Sequence, residues 1–180
     1  ITVGTDYGGG TIFYIFNPGD HGYVEGEFHG IISSKQDLGM FNFGCSATNI
    51  SGGAFDEREI GYAEENTTAI RNSCGSNTGG FKCYNSNKGG YTDWWLPTLE
   101  ELQLMFVYRN EIGGFNISPT LGTNYTNYLS SSNMDYYNAW GVDFKYYPWP
   151  DYDGYSGVLN HRTLNVNKSD AVSIRPIRYF

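Results

Sequence analysis

Apolar residues in this chain come in short runs, and the spacing of polar positions around them predicts short elements joined by long loops. After the glycines at 8–10, the run Ile12 to Phe16 closes on a Pro-Gly turn and reads as a strand. HGIISS, residues 29 to 34, reads as a second. From Asp37 to Gly61 glycines interrupt every pattern, and a long structured loop is expected. Asn66 is placed to cap a short helix, NTTAIRNSC, because its side chain can accept a backbone N–H two or three residues on. A second helical piece is expected over Phe81 to Asn85. Thr98 and Glu101 form a capping-box pair, and Leu99, Leu102, Met105 and Phe106 make one helical stripe, predicting a helix that ends near Arg109. Beyond Gly113-Gly114 no helix is expected. NYLSSS (127 to 132), AWGVDFKY (139 to 146) and AVSIRPIRY (171 to 179) read as strands, the last with Pro176 at an edge or a bulge. Helices early, strands at both ends and no repeat or linker predict an α+β fold with one domain over residues 1–180.

Composition sharpens this reading. Aromatic residues make up 17% of the chain, as much as all charged residues together, with 16 Tyr, 11 Phe, 4 Trp and 24 Gly. Disordered chains lack such rings, whereas binding loops favour them, since Tyr offers a large rigid surface at low entropic cost. The net charge is −8, and only 11 Lys and Arg are present. Phosphate recognition needs clustered cations, so nucleic acid, sulfated polysaccharides and anionic membranes are not expected partners. No apolar run approaches the roughly 20 residues of a membrane span, so no membrane insertion of this segment is expected. The start of the chain lacks a signal pattern, and Ile1 in place of Met suggests a mature form or fragment whose export signal lies outside it.

The segment FKYYPWPDYDGY, residues 144 to 155, is the most unusual in the chain. Its two prolines oppose a continuous helix or strand, so its rings cannot all enter one core. Tyr146, Tyr147, Trp149, Tyr152 and Tyr155 can stack on the apolar faces of sugars, while Asp151 and Asp153 accept from hydroxyls. The bland alternative is a loop folded under its own rings, or a subunit contact. Tyr136 and Tyr137, in NMDYYNAW, form a second cluster of which at least one ring should be exposed. Asp151, Asp153 and Gly154 match only a fragment of a calcium loop, and no cofactor is expected. His21, His29 and His161 lack metal-ligand spacing, and neither G-x-S-x-G nor a phosphate-binding glycine loop occurs. Ser130 to Ser132 read as structural, hydrogen-bonded serines. An enzyme is not expected. Asn-x-Ser/Thr triplets begin at Asn49, Asn66, Asn116, Asn124 and Asn167, a number that chance supplies readily in so Asn-rich a chain. Three cysteines allow one disulfide and one thiol in an oxidising compartment, or three thiols in a reducing one.

GGGTIFYI, HGIIS, GGYTDWWLPTLEEL, YLSSS with AWGVDF, and a closing IRPIR follow one another in this order. The ordered set resembles the C-terminal domain family of Legionella collagen-like adhesins, over nearly the whole chain. Leu129 stands where that family carries Trp, and Pro176 where it often carries Cys or a small residue. The resemblance implies a C-type-lectin-like fold in which the chain ends pair and long loops display a binding surface. It implies a non-catalytic adhesin-type domain on a bacterial surface or fibre protein, extracellular, binding glycans or surface proteins of a target cell. The alternative is a protein-interaction or trimer-capping module, and a homotrimer is expected because the relatives cap collagen-like stalks. It also implies that Asp93, Trp94 and Trp95 pack the helix against the sheet, with one Trp core and the other partly covered, and that Trp140 is core. Formylglycine-generating enzymes, elsewhere in that fold, need a cysteine pair near the C-terminus, and here the cysteines lie earlier. Many relatives pair a cysteine at the position of Cys83 with one near the closing run, and Pro176 removes that partner. Cys45–Cys74 is then the expected bridge, with Cys74–Cys83 as the competitor.

Overall fold

A computed structural model describes residues 2–47, 57–118, 120–145 and 162–180 of the chain. Hydrogen-bond pairing sorts the described strands into two sheets. In the first, β1 (Asp6–Tyr7), β2 (Gly10–Ile15), β3 (Gly30–Ser34) and β9 (Ile177–Tyr179) lie in that order, every pair antiparallel. Strands from the two ends of the described chain therefore share one sheet. The second sheet contains β4 (Gly39–Phe41), β8 (Val172–Ile174), β5 (Asn127–Asn133), β6 (Asn138–Asp143) and β7 (Thr163–Asn167), ordered β4-β8-β5-β6-β7. Its β5–β8 pair is parallel and its other pairs are antiparallel. Five short helices complete the α+β arrangement: α1 (Ala63–Ser73), α2 (Gly79–Tyr84), α3 (Leu99–Val107), α4 (Arg109–Ile112) and α5 (Thr123–Thr126).

Local sequence explains α3 closely. Thr98 Oγ1 accepts from the Glu101 backbone N–H while Glu101 Oε2 accepts from the Thr98 N–H, and the stripe Leu99, Leu102, Met105 and Phe106 is buried. Asn66 does not cap α1. The helix begins three residues earlier, after Tyr62, and Asn66 lies buried within it, donating to the Glu57 carbonyl and to Ser131 Oγ. Tertiary partners outcompeted the local cap. The single turn α5 also contradicts the expectation of no helix beyond Gly114, and four residues carry no readable period. Gly80 lets α2 press on α1, because a Cβ there would meet the Ile70 side chain.

Among the described residues three hydrophobic clusters form the core, and DWWLP threads all three. Trp94 is 0% exposed and packs with Ile12 and Ile32 on one face of the first sheet. Trp95, partly buried, lies against the large cluster of Phe13, Ile31, Leu102, Phe106, Tyr128 and Ile177, on the opposite face. Leu96 enters the cluster of Phe43, Ile70, Leu129 and Ile174. An extended backbone turns successive side chains to opposite sides, so Trp95 faces away from Trp94 and Leu96. Trp95 exchanges both backbone hydrogen bonds with Ile177, and Trp94 Nε1 donates to the Lys88 carbonyl.

The closing IRPIR run joins the sheets. The chain leaves the second sheet at Ile174 and enters the first at Ile177, so Pro176 sits at the crossing, where no ladder N–H is required. Arg175 is fully buried, and its guanidinium donates to Asp37 Oδ1 at 2.6 Å and to the carbonyls of Ser34, Gly113 and Gly114. Arg178 makes a two-pronged pair with Asp93, donates to the Gly8 carbonyl and stacks over Tyr91. Cys45 and Cys74 form a disulfide, and Cys83 is a buried thiol whose pKa burial pushes far up, leaving it protonated. Among the described residues, no helix is long and apolar enough to cross a membrane.

Candidate functional site

The β5–β6 turn presents two aromatic rings outward. Tyr136 and Tyr137 are 45% and 55% exposed, with centroids 4.9 Å apart and planes at 77°. Backbone bonds from the Met134 and Asp135 N–H groups to the Asn138 carbonyl close the turn beneath them, and two side chains, Asp135 and Lys168, anchor it. Asp135 Oδ1 accepts from the backbone N–H groups of Tyr137 and Asn138, both at 2.7 Å, and the Asn138 amide donates to both Asp135 oxygens. Bonding to Asn138 and to the Tyr137 N–H holds the Asp135 carboxyl below its ordinary range. From inside, the buried Lys168 ammonium donates to the Asp135 carbonyl at 2.7 Å and more weakly to that of Tyr136. Rings on such a turn meet a ligand without first being ordered.

Tyr146, Tyr147, Trp149, Asp151, Tyr152, Asp153 and Tyr155 lie outside the described residues. Their anchors are described. Phe144 is buried against Phe106, Phe115 and Tyr128, and the buried Arg162 donates to the carbonyls of Asp143 and Lys145. These anchors flank the Asp143 end of β6, while Tyr136 and Tyr137 flank its Asn138 end. Five residue steps of strand separate the two ends by about 17 Å. The points where the two aromatic clusters join the sheet are therefore apart.

Trp140 is half-buried against the large cluster, with the Arg58 guanidinium 5.3 Å from its ring centroid. The three serines of YLSSS are buried. Ser130 donates to the Trp140 carbonyl, Ser131 accepts from Asn66, and Ser132 donates to the Glu57 carbonyl while accepting from the Leu99 N–H. These bonds give each of the three hydroxyls a protein partner.

A groove of about 370 Å³ that no sequence motif marks lies between α1 and the end of the first sheet. Glu64 and Glu65 edge it from the first turn of α1, and Phe16, Tyr179 and Phe180 supply rings. His21 Nε2 lies 3.1 Å from Glu65 Oε1, and the His21 ring stacks on Tyr62 at 4.0 Å. His29 reaches Glu27 at 2.8 Å and the Phe180 carbonyl at 3.0 Å, contacts that raise its pKa in that order of weight. Partial burial first, then the charges of Glu65 and Asp93, raise the pKa of Glu64. Gly61 closes one wall at φ +95°, where a Cβ would land on the His21 carbonyl. His21 and Glu65 lie 44 positions apart, so no local pattern announces them.

Beneath the groove Glu101 is wholly buried. Its Oε1 accepts from the Gly61 N–H at 2.9 Å and the Tyr179 hydroxyl at 2.7 Å, and Tyr179 accepts in turn from the Ala63 N–H. Burial pushes the Glu101 carboxyl up to about 7 against the pull of these donors. No cluster of three or more His, Cys, Asp or Glu among the described residues converges on a point where a metal ion would fit. No protein-family model and no curated protein matches the chain.

Proposed function

We propose that this chain is a non-catalytic, adhesin-type recognition domain with a C-type-lectin-like fold, carried outside the cell by a bacterial surface or fibre protein and binding cell-surface glycans. One observation carries the reading: two exposed tyrosine rings sit on a turn fixed from below by a buried lysine and from the side by Asp135. Exposed rings are costly to order, and a turn that keeps them ordered without a ligand suits binding more than packing. A sugar ring stacks its apolar face on such a surface, and the neighbouring carbonyls and Asn138 satisfy its hydroxyls. The disulfide fits an oxidising compartment. The pairing of β2, β3 and β9, which brings the ends of the chain together, supports the lectin-like topology. Tyr146, Tyr147, Trp149, Asp151, Tyr152, Asp153 and Tyr155 are assigned to the same recognition role as a second contact region.

A glycan array probed with the wild type and with a Tyr136→Ala/Tyr137→Ala variant tests this. The wild type should bind a defined group of glycans, and the variant should lose about tenfold or more in affinity while keeping its unfolding midpoint, since stacking on one ring contributes about 1 kcal/mol. Silence across broad panels, or binding indifferent to both tyrosines, overturns the assignment.

A further inference from the structure

We propose that the groove between α1 and β9 is a second binding site, and that it takes an alkylammonium ion such as the side chain of a lysine. Glu64 and Glu65 alone would not justify this, because acidic residues in a first helical turn complement the positive end of α1. Cavity and walls add what the charges lack. The groove measures about 370 Å³, enough for an extended butylammonium chain, and Phe16, Tyr179 and Phe180 line it with aromatic surface. Aromatic faces with carboxylates at the mouth are how proteins hold organic cations, the rings attracting the charge through their quadrupoles.

The charge balance points the same way. Among the described residues no Lys or Arg lines the groove, and neither Glu64 nor Glu65 pairs with one. Imidazoles supply the neighbouring donors: His21 on Glu65 and His29 on Glu27. A second depression of about 460 Å³ continues past Glu64 and Glu65 along α1 to Thr68, Ala69 and Asn72, so a ligand longer than one side chain has a path. A metal ion is a poor occupant, since among the described residues no three ligating groups converge there. A net charge of −8 favours approach of a cation from any direction.

Amide chemical shifts of the full chain at pH 7.5, titrated with Nα-acetyl-lysine N-methylamide, test the assignment. Shifts should be saturable, centred on Gly22, Gly61 and Phe180, with a Kd of about 1–10 mM as expected for one desolvated cation–π contact with carboxylates. The norleucine analogue, which keeps the alkyl chain and drops the charge, should bind at least about tenfold more weakly. Cadaverine in a parallel titration distinguishes a free amine from a polypeptide side chain, according to which of the two binds more tightly. Glu64→Gln/Glu65→Gln and, separately, Phe180→Leu should each weaken binding, and neither touches the turn that bears Tyr136 and Tyr137. No saturable shift, equal binding of norleucine and lysine derivatives, or indifference to both variants overturns the site. None of these outcomes bears on glycan binding at the tyrosine turn, so the two assignments stand or fall separately.

Discussion

Glu101 shows how one residue can belong to a helix and to a distant strand at once. As the fourth member of the capping box it holds the start of α3, and through the Tyr179 hydroxyl it holds β9. The native carboxyl keeps its proton up to about pH 7, whereas in the unfolded chain it ionises near 4.5. Between those values the folded state binds more protons, so stability is greatest below pH 4.5 and is lost as pH rises through 7. The gap corresponds to roughly 3 kcal/mol. His29, also raised, moves stability in the same direction, while Asp6 and Asp135, both lowered, act only at more acid pH. Comparison with Glu101→Gln isolates the buried group. The amide keeps an acceptor for Gly61 and Tyr179 but turns an NH2 toward the Thr98 N–H, at a cost of about 1–3 kcal/mol. Urea unfolding between pH 5 and 8 should therefore show the variant less stable at pH 5 and its pH profile flatter. Parallel profiles would assign the pH dependence to other groups.

At the scale of elements, the β5–β6 turn depends on a lysine that arrives from just beyond β7. Replacing Lys168 by Met keeps the buried stem and removes the donors to the Asp135 and Tyr136 carbonyls. The expected loss is about 1–3 kcal/mol in urea unfolding, with faster hydrogen exchange at Tyr137 and Asn138 and weaker glycan binding. Unchanged exchange would mean that Asp135 and the backbone bonds of the turn hold it without the ammonium. The disulfide closes a loop of 29 residues between Cys45 and Cys74, so Cys45→Ala/Cys74→Ala should cost roughly 3 kcal/mol by loosening the unfolded chain. A lowered midpoint that dithiothreitol also produces in the wild type, and not in the variant, checks it. The same elements show what the sequence could disclose. The α3 capping box was legible because both partners lie within one turn, and the apolar stripe gave its face. Asn66 misled because its local alternative, a cap, was outcompeted by Glu57 and by Ser131, 65 positions away. AVSIRPIRY was legible as strand but not as two strands in two sheets, since only the tertiary fold decides where a chain crosses. The tyrosine turn was visible as exposed aromatics, whereas Lys168 beneath it was not. The groove had no signature at all, because its His–Glu contact joins a loop to a helix far along the chain.

Across the whole molecule, β9 ties DWWLP, the first hairpin, α1 and α3 to one strand. Ile177 pairs with Trp95 through both backbone groups, and its side chain lies in the main core. Arg178 bridges Asp93 and the Gly8 carbonyl, joining DWWLP to the first hairpin. Tyr179 bridges Glu101 of α3 and the Ala63 N–H at the start of α1. Each residue of β9 thus ties a different part of the fold, and β3 is left with an open edge if the strand is removed. Trp94 adds to this dependence, because its cluster with Ile12 and Ile32 lies on the sheet that β9 completes. The buried side chains contribute about 2 kcal/mol each, and Glu101 loses the Tyr179 hydroxyl while Asp93 loses Arg178, so their joint loss approaches the 5–15 kcal/mol that holds a domain folded. A chain ended after Arg175 should consequently lack a cooperative transition: no sigmoidal urea curve, collapsed near-ultraviolet dichroism from Trp94 and Trp95, and poorly dispersed amide resonances. Supplying residues 176–180 as a separate peptide should restore part of that signal, since the strand pairs by backbone bonds to β3 and to Trp95. A truncated chain that still unfolds cooperatively, within about 2 kcal/mol of the full one, would show that the core under α3 stands without its closing strand.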